Sequence, residues 1–172
     1  MNDNQKPEGF DEETLALAAR IFGYARSGMA AELEEVLEAG VPPNLCNEKG
    51  DSLLMLASYH GHAEATEVLL RAGADANLSN DRGQLPLAGA AFKGEIGVAR
   101  LLLAHGAKVD GAGPDGRTAL MVAAMFNRLE LIDLLIEHGA NPAAEDAAGS
   151  TALGAARAMG ATAAAEKLSA QT

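Results

Sequence analysis

Apolar residues fall along this chain in short clusters separated by polar, glycine-containing breaks, and the clusters recur. A turn of Asp, Arg and Gly type repeats at Gly50, Gly83, Gly116 and Gly149, in steps of 33 residues. After each turn comes a short Ala-rich stretch containing Leu54, Leu87, Leu120 or Leu153, then a break at Gly61, Gly94, Asn127 or Gly160. A second apolar cluster follows: Val68, Leu69 and Leu70; Ile96, Val98, Leu101, Leu102 and Leu103; Leu129, Leu131, Ile132, Leu134, Leu135 and Ile136. That spacing places the apolar side chains on one helical face, so each unit predicts two short helices. Gly73, Gly106 and Gly139 suit the left-handed position that terminates a helix, and Asn127 can replace glycine because Asn tolerates positive φ.

A fixed period of this length predicts stacked units that bury their apolar faces on one another. An earlier unit without the turn motif is visible upstream, with Gly28 matching Gly61, Val36 and Leu37 matching Leu69 and Leu70, and Gly40 matching Gly73. Asp11 to Pro43 is therefore expected to form an N-terminal cap. At the other end, Ala161 to Lys167 replaces aliphatics with Ala, Thr, Glu and Lys, as suits a capping unit whose outer face meets water. The expected organisation is a tail at 1–10, disordered and dispensable, followed by one domain at 11–172. Within it we expect a cap at 11–46, repeats at 47–79, 80–112 and 113–145, and a capping repeat at 146–172.

Gly61-His62, Gly73-Ala74-Asp75-Ala76-Asn77, Thr118-Ala119-Leu120 and Thr151-Ala152-Leu153 give the unit a specific signature. It resembles the ankyrin repeat, a β-turn plus two helices whose first helix opens on Thr-Pro-Leu-His. The resemblance covers nearly the whole chain and is to small stand-alone proteins of bacterial type. It implies an all-α fold, a solenoid of about five helix-turn-helix units with hairpin-like loops. Two departures stand out. Met55, Ala88, Met121 and Gly154 occupy the place of the family's His, which puts the usual polar lock between repeats in doubt, and Leu85 replaces a capping Thr. A missing hydroxyl N-cap costs about 1 kcal/mol.

Composition narrows the partners. A net charge of −11 repels phosphate, so neither nucleic acid nor a membrane surface is expected as a partner. Residues 1–48 carry −7 of that charge. The N-terminus shows no apolar leader and no apolar run approaches membrane-spanning length, so a cytoplasmic protein is expected. One cysteine, Cys46, agrees with a reducing compartment, and with no basic neighbour it is not expected to be reactive.

Several motifs invite chemistry and do not support it. Gly111 to Gly116 matches the dinucleotide pattern G-x-G-x-x-G, but Ala107-Lys108-Val109-Asp110 before it is a polar connector rather than a buried strand. Asn77-Leu78-Ser79 is a glycosylation sequon by accident. His105 and His138 are two ligands where a structural zinc needs four, and His62 belongs to a turn. Glu32, Glu34, Glu35, Glu38, Glu64 and Glu67 form solvated helix faces with no nucleophile or base beside them. No catalytic residues, cofactor or metal are expected.

The resemblance implies that residues just before the interhelix glycine, together with the hairpin tips, line a concave face. Here the former are Tyr59 and His60, Phe92 and Lys93, Met125 and Phe126, and Met159. Three of the six Phe and Tyr residues thus share one ladder. They suit a binding hot spot, or they pack between repeats. The tips add Lys49, Asp51, Asp81, Arg82, Gln84, Asp115 and Arg117, mixed in sign. The expected function is a non-catalytic protein-interaction module, monomeric alone, acting as adaptor or stoichiometric regulator. The alternative is a subunit that stabilises or neutralises one cognate enzyme or toxin.

Overall fold

Each apolar cluster folds as one helix, and the polar breaks turn the chain back on itself. The computed structural model describes residues 11–171, so the expected disordered tail at 1–10 lies outside the described residues. The helices are α1 (Glu12–Ser27), α2 (Ala30–Glu38), α3 (Leu53–Tyr59), α4 (Ala63–Arg71), α5 (Pro86–Lys93), α6 (Ile96–Ala104), α7 (Ala119–Met125), α8 (Leu129–Glu137), α9 (Ala152–Ala158) and α10 (Thr162–Ser169). Odd-numbered helices pack in one row, even-numbered helices in another, and each pair leans on the next. The arrangement is a helical solenoid in which packing runs between neighbours.

The core explains the Ala-rich composition. Leu54, Leu69, Leu102, Leu120 and Leu135 are fully buried, and Ala57, Ala90, Ala123 and Ala156 repeat at one register with no exposure. A methyl group at that register lets inner helices approach closely while the leucines fill the space between rows. Met55 and Met121, which stand where the resemblance suggests His, are buried too. The helix starts are set locally. Hydroxyls of Ser52, Thr118 and Thr151 accept from the backbone N–H of Met55, Met121 and Gly154 at 3.0, 3.3 and 3.2 Å. Leu85 supplies no such bond, and Pro86 at the first helical position partly offsets the loss through its fixed φ.

Polar ties between repeats do exist, at positions other than the missing His. Asn44, Asn77 and Asp110, spaced by 33, accept through Oδ1 from the backbone N–H of Asp75, Lys108 and Asn141 in the following unit at 2.8, 2.8 and 3.0 Å. Asn77 Nδ2 also donates to the Gly106 carbonyl at 2.9 Å, so this sequon residue is a structural link. His62 Nε2 lies 2.7 Å from the Arg26 carbonyl, and Arg128 donates to the Phe92 carbonyl at 3.2 Å. His105 and His138 each bond through Nδ1 to a carbonyl one turn earlier, Leu101 and Leu134.

Asn127 does more than tolerate its φ of 56°. Its Oδ1 accepts from the Ala164 N–H at 2.9 Å, capping α10, whose own N-cap Ala161 has no side chain to offer. Asn127→Gly is expected to cost about 1 kcal/mol through the lost cap. Asn127→Ala should cost about 1 to 2 kcal/mol more, because it adds left-handed strain. Chemical denaturation of the two variants orders them; equal losses would mean that the backbone conformation carries no cost.

The two ends differ from the middle. Helix α1 is 16 residues long against 7 for α3, so its first turns reach past the stack and leave Leu15 and Leu17 exposed. Its start is capped by Asp11, whose carboxylate accepts from Thr14 N–H; hydrogen bonding by the Thr14 side chain, then by its backbone N–H, holds Asp11 below its ordinary pKa. At the far end, α10 keeps Ala164 and Leu168 buried, and Lys167 reaches the Asp133 carboxylate on α8 at 2.6 Å.

Candidate functional site

The last turns of α3 and α5 and the C-cap of α7 carry Tyr59, Phe92 and Phe126 onto one face, where they form a continuous aromatic row. Tyr59 and Phe92 stack with centroids 6.4 Å apart, and Phe92 meets Phe126 edge to face at 4.9 Å. The three rings remain 36%, 40% and 38% exposed, so they are neither core residues nor free in water. Phe126 belongs to the register of His60 and Lys93 rather than that of Tyr59 and Phe92, yet its ring meets Phe92 and extends the row. His60 presents its ring edge-on to Tyr59 at 5.5 Å, and Lys93 Nζ sits 5.2 Å from the Tyr59 centroid, a cation–π distance.

Between this row and the hairpin tips runs a groove of about 380 Å³. It gathers Tyr59, Phe92, Met125 and Phe126 from the ladder, with Arg82, Gln84, Asp115 and Arg117 from the tips. Other expected site residues stand apart from it. Met159 is exposed at the C-terminal end of the ladder. Lys49 and Asp81 join neighbouring tips through the Asp81 N–H and the Lys49 carbonyl at 3.1 Å. Asp51 is half-buried and accepts from Asn80 Nδ2 at 2.8 Å.

The groove also takes in Met55, Leu85, Gly89, Gly113 and Val122, which sequence reasoning did not single out as site residues. Three of these are the odd members of their registers. Leu85 stands where Ser52, Thr118 and Thr151 cap their helices. Gly89 stands in mid-helix where the other repeats have Leu56, Val122 and Ala155. Gly113 stands where Asn47, Asn80 and Asp146 each accept two loop N–H groups through Oδ1. Beside it, Pro114 has no N–H for the tip-to-tip bond that Asp81 and Ala147 make, and a Cβ on Gly113 would collide with the Gly83 carbonyl. The dinucleotide-like run is thus a loop closing tightly on its neighbour.

Each departure lowers stability: about 1 kcal/mol for the cap, about 0.5 to 1 kcal/mol for the helical glycine, and a comparable amount for lost loop bonds. All three border one groove. The chemistry it offers is apolar and aromatic contact rimmed by guanidinium and carboxylate groups. Among the described residues no group of three or more His, Cys, Asp or Glu could hold a metal ion. Cys46 is exposed and its thiol donates to the Asn44 carbonyl at 3.3 Å. Local desolvation, then the Asp51 and Asp81 carboxylates, push its pKa up, which disfavours the thiolate. Among the described residues no helix is long and apolar enough to cross a membrane.

Comparison with known proteins agrees with this architecture. The profile of a family described as ankyrin repeats, in three copies, matches residues 15–112, and a single ankyrin repeat matches residues 115–147. A Pseudomonas aeruginosa protein named for ankyrin repeats is 55% identical over 64 residues, a stretch that spans 37% of this chain and 37% of that protein. Ankyrin repeats are generally protein-protein interaction modules. With the three-copy profile alone covering more than half of its length, and with its helix pairs stacked at the same period, this chain belongs to the ankyrin-repeat family.

Proposed function

We propose that this chain is a non-catalytic interaction module that holds one partner protein in the groove along α3, α5 and α7, as an adaptor or stoichiometric regulator. The observation that carries this is the convergence of Leu85, Gly89 and Gly113 on that groove, since proteins break their own local rules chiefly at functional sites. The half-exposed aromatic row supplies contact area at low entropic cost, and the charged tips above it tune partner choice and encounter rate. A free, exposed Cys46 suits action in the reducing cytoplasm. Affinity capture from the native host, run with the wild-type chain and with Phe92→Ala/Phe126→Ala, tests the proposal. A stoichiometric band lost in the variant supports it; a band retained at full strength overturns it. One band alone favours a dedicated partner, and many favour a general adaptor.

Glycine 89 gives a second handle. A Cβ there would sit 3.4 Å from Tyr59 Cδ2, an ordinary contact on the groove floor, while a Cβ at Gly23 in mid-α1 would meet nothing within 4 Å. Gly89→Ala and Gly23→Ala are each expected to raise stability by about 0.5 to 1 kcal/mol, the helical preference of Ala over Gly. Only Gly89→Ala should weaken capture, because only it fills the groove. Equal capture by both variants would show that the floor at Gly89 is not used.

A further inference from the structure

We infer that the groove takes an extended segment of the partner in which bulky apolar side chains alternate with acidic ones. This rests on the groove being the docking face and adds the chemistry of what docks there. The first observation is spacing. Side chains i and i+2 of an extended strand lie on the same face about 6.6 Å apart. Tyr59 and Phe92 are separated by 6.4 Å, so two successive apolar side chains of a strand crossing the repeats match this pair of rings, with Phe126 closing the row 4.9 Å beyond Phe92.

The second observation is charge. On a chain of net −11, the groove is lined by two guanidinium groups, Arg82 and Arg117, and one carboxylate, Asp115. Asp115 Oδ1 already accepts from the Arg117 backbone N–H at 3.0 Å. Two other tip acids are turned along the loops: Asp51 bonds Asn80, and the Asp81 carboxylate lies against Gly50. Among the described residues neither Arg82 nor Arg117 makes an ion pair. Lys93 adds a third cation beside Tyr59. Acids Asp51 and Asp81 at the tips are thus turned along their own loops, while the exposed Arg82 and Arg117 guanidinium groups offer planar, bidentate carboxylate recognition. A basic segment would meet the field of the whole chain favourably but would find these guanidinium groups against it, whereas an acidic-apolar strand meets both rings and cations.

Short capped peptides with a Leu-x-Phe core, in which x and both flanks are Asp, Asn or Lys, test this by fluorescence anisotropy against the full chain. The Asp peptide is expected to bind about tenfold or more tightly than the Asn peptide, and the Lys peptide most weakly. Arg82→Gln/Arg117→Gln, both exposed positions, should bring the Asp peptide down to the level of the Asn peptide and leave the latter unchanged. Phe92→Ala/Phe126→Ala should abolish all binding. If all three peptides bind alike and only the phenylalanine variant loses them, the groove stands and the acidic inference fails. If the Asp peptide is preferred but indifferent to the arginine variant, the inference fails as well, and the site lies elsewhere. Binding by none of the peptides overturns the inference and leaves the groove itself to be judged by capture of the native partner. Tighter binding when the peptide end is a free carboxylate instead of an amide, with no preference for Asp, replaces the acidic segment with a chain terminus and also overturns it.

Discussion

Leu135→Ala is expected to remove about 3 to 5 kcal/mol of unfolding free energy, whereas Leu168→Ala, the same change one repeat later, should remove about 2 kcal/mol. Both side chains are buried, at 0% and 1% exposure, so transfer out of water does not separate them. What separates them is position in the stack. Leu135 on α8 has helix pairs on both sides, since α8 packs on α6 and α10, and α7 packs on α5 and α9. Among the described residues, Leu168 on α10 has only the preceding pair beside its own. A cavity at Leu135 therefore weakens two interfaces, and one at Leu168 weakens one. The second loss should also be local. Amide exchange in α9 and α10 is expected to accelerate in Leu168→Ala with little change in α4 and α6, and α10 should be less protected than α8 in the unmodified chain. Equal losses, with α10 as protected as Leu129–Glu137, would mean that the C-terminal pair is no weak end.

How far such behaviour could be foreseen depends on where each residue's partners lie. Helix pairs, glycine stops and the caps at Thr118 and Thr151 were legible because their bonds close within one turn, and a missing cap at Leu85 was legible for the same reason. Links between repeats were not. Asn44, Asn77 and Asp110 repeat at the period, but their partners lie 31 residues away, and nothing local distinguishes a cross-repeat acceptor from a loop Asn or Asp. Asn127 was readable as a residue tolerant of positive φ and unreadable as the cap of α10.

The groove shows the same limit. Its aromatic row was visible as a ladder of large side chains, whereas the meeting of Phe92 with Phe126 joins two different register positions that the repeat pattern alone does not pair. In the sequence Leu85 is legible as a capping defect and the run at 111–116 as a false dinucleotide motif. Only the stacking of α3, α5 and α7 brings them to one place, where they make a single site.

Phe92→Ala/Phe126→Ala is expected to weaken partner binding by about 2 kcal/mol or more, the scale of aromatic hot spots, which is more than a tenfold loss of affinity. The accompanying loss of stability should be modest, about 1 to 2 kcal/mol for the pair, since both residues keep close to two fifths of their surface in water and their rings meet each other and Tyr59. If the rings instead served to pack one repeat on the next, each truncation would cost about 3 to 5 kcal/mol of folding free energy. Binding per folded molecule would then be unchanged. Denaturation and titration with the captured partner, performed on the same variant, separate these outcomes. A loss matching that of Leu135→Ala, with affinity intact, would make the row structural. Intact stability together with intact affinity would remove the row from both roles and direct the search to the outer face of α2, where Glu34, Glu35 and Glu38 lie exposed and concentrate the acidic charge of the N-terminal cap.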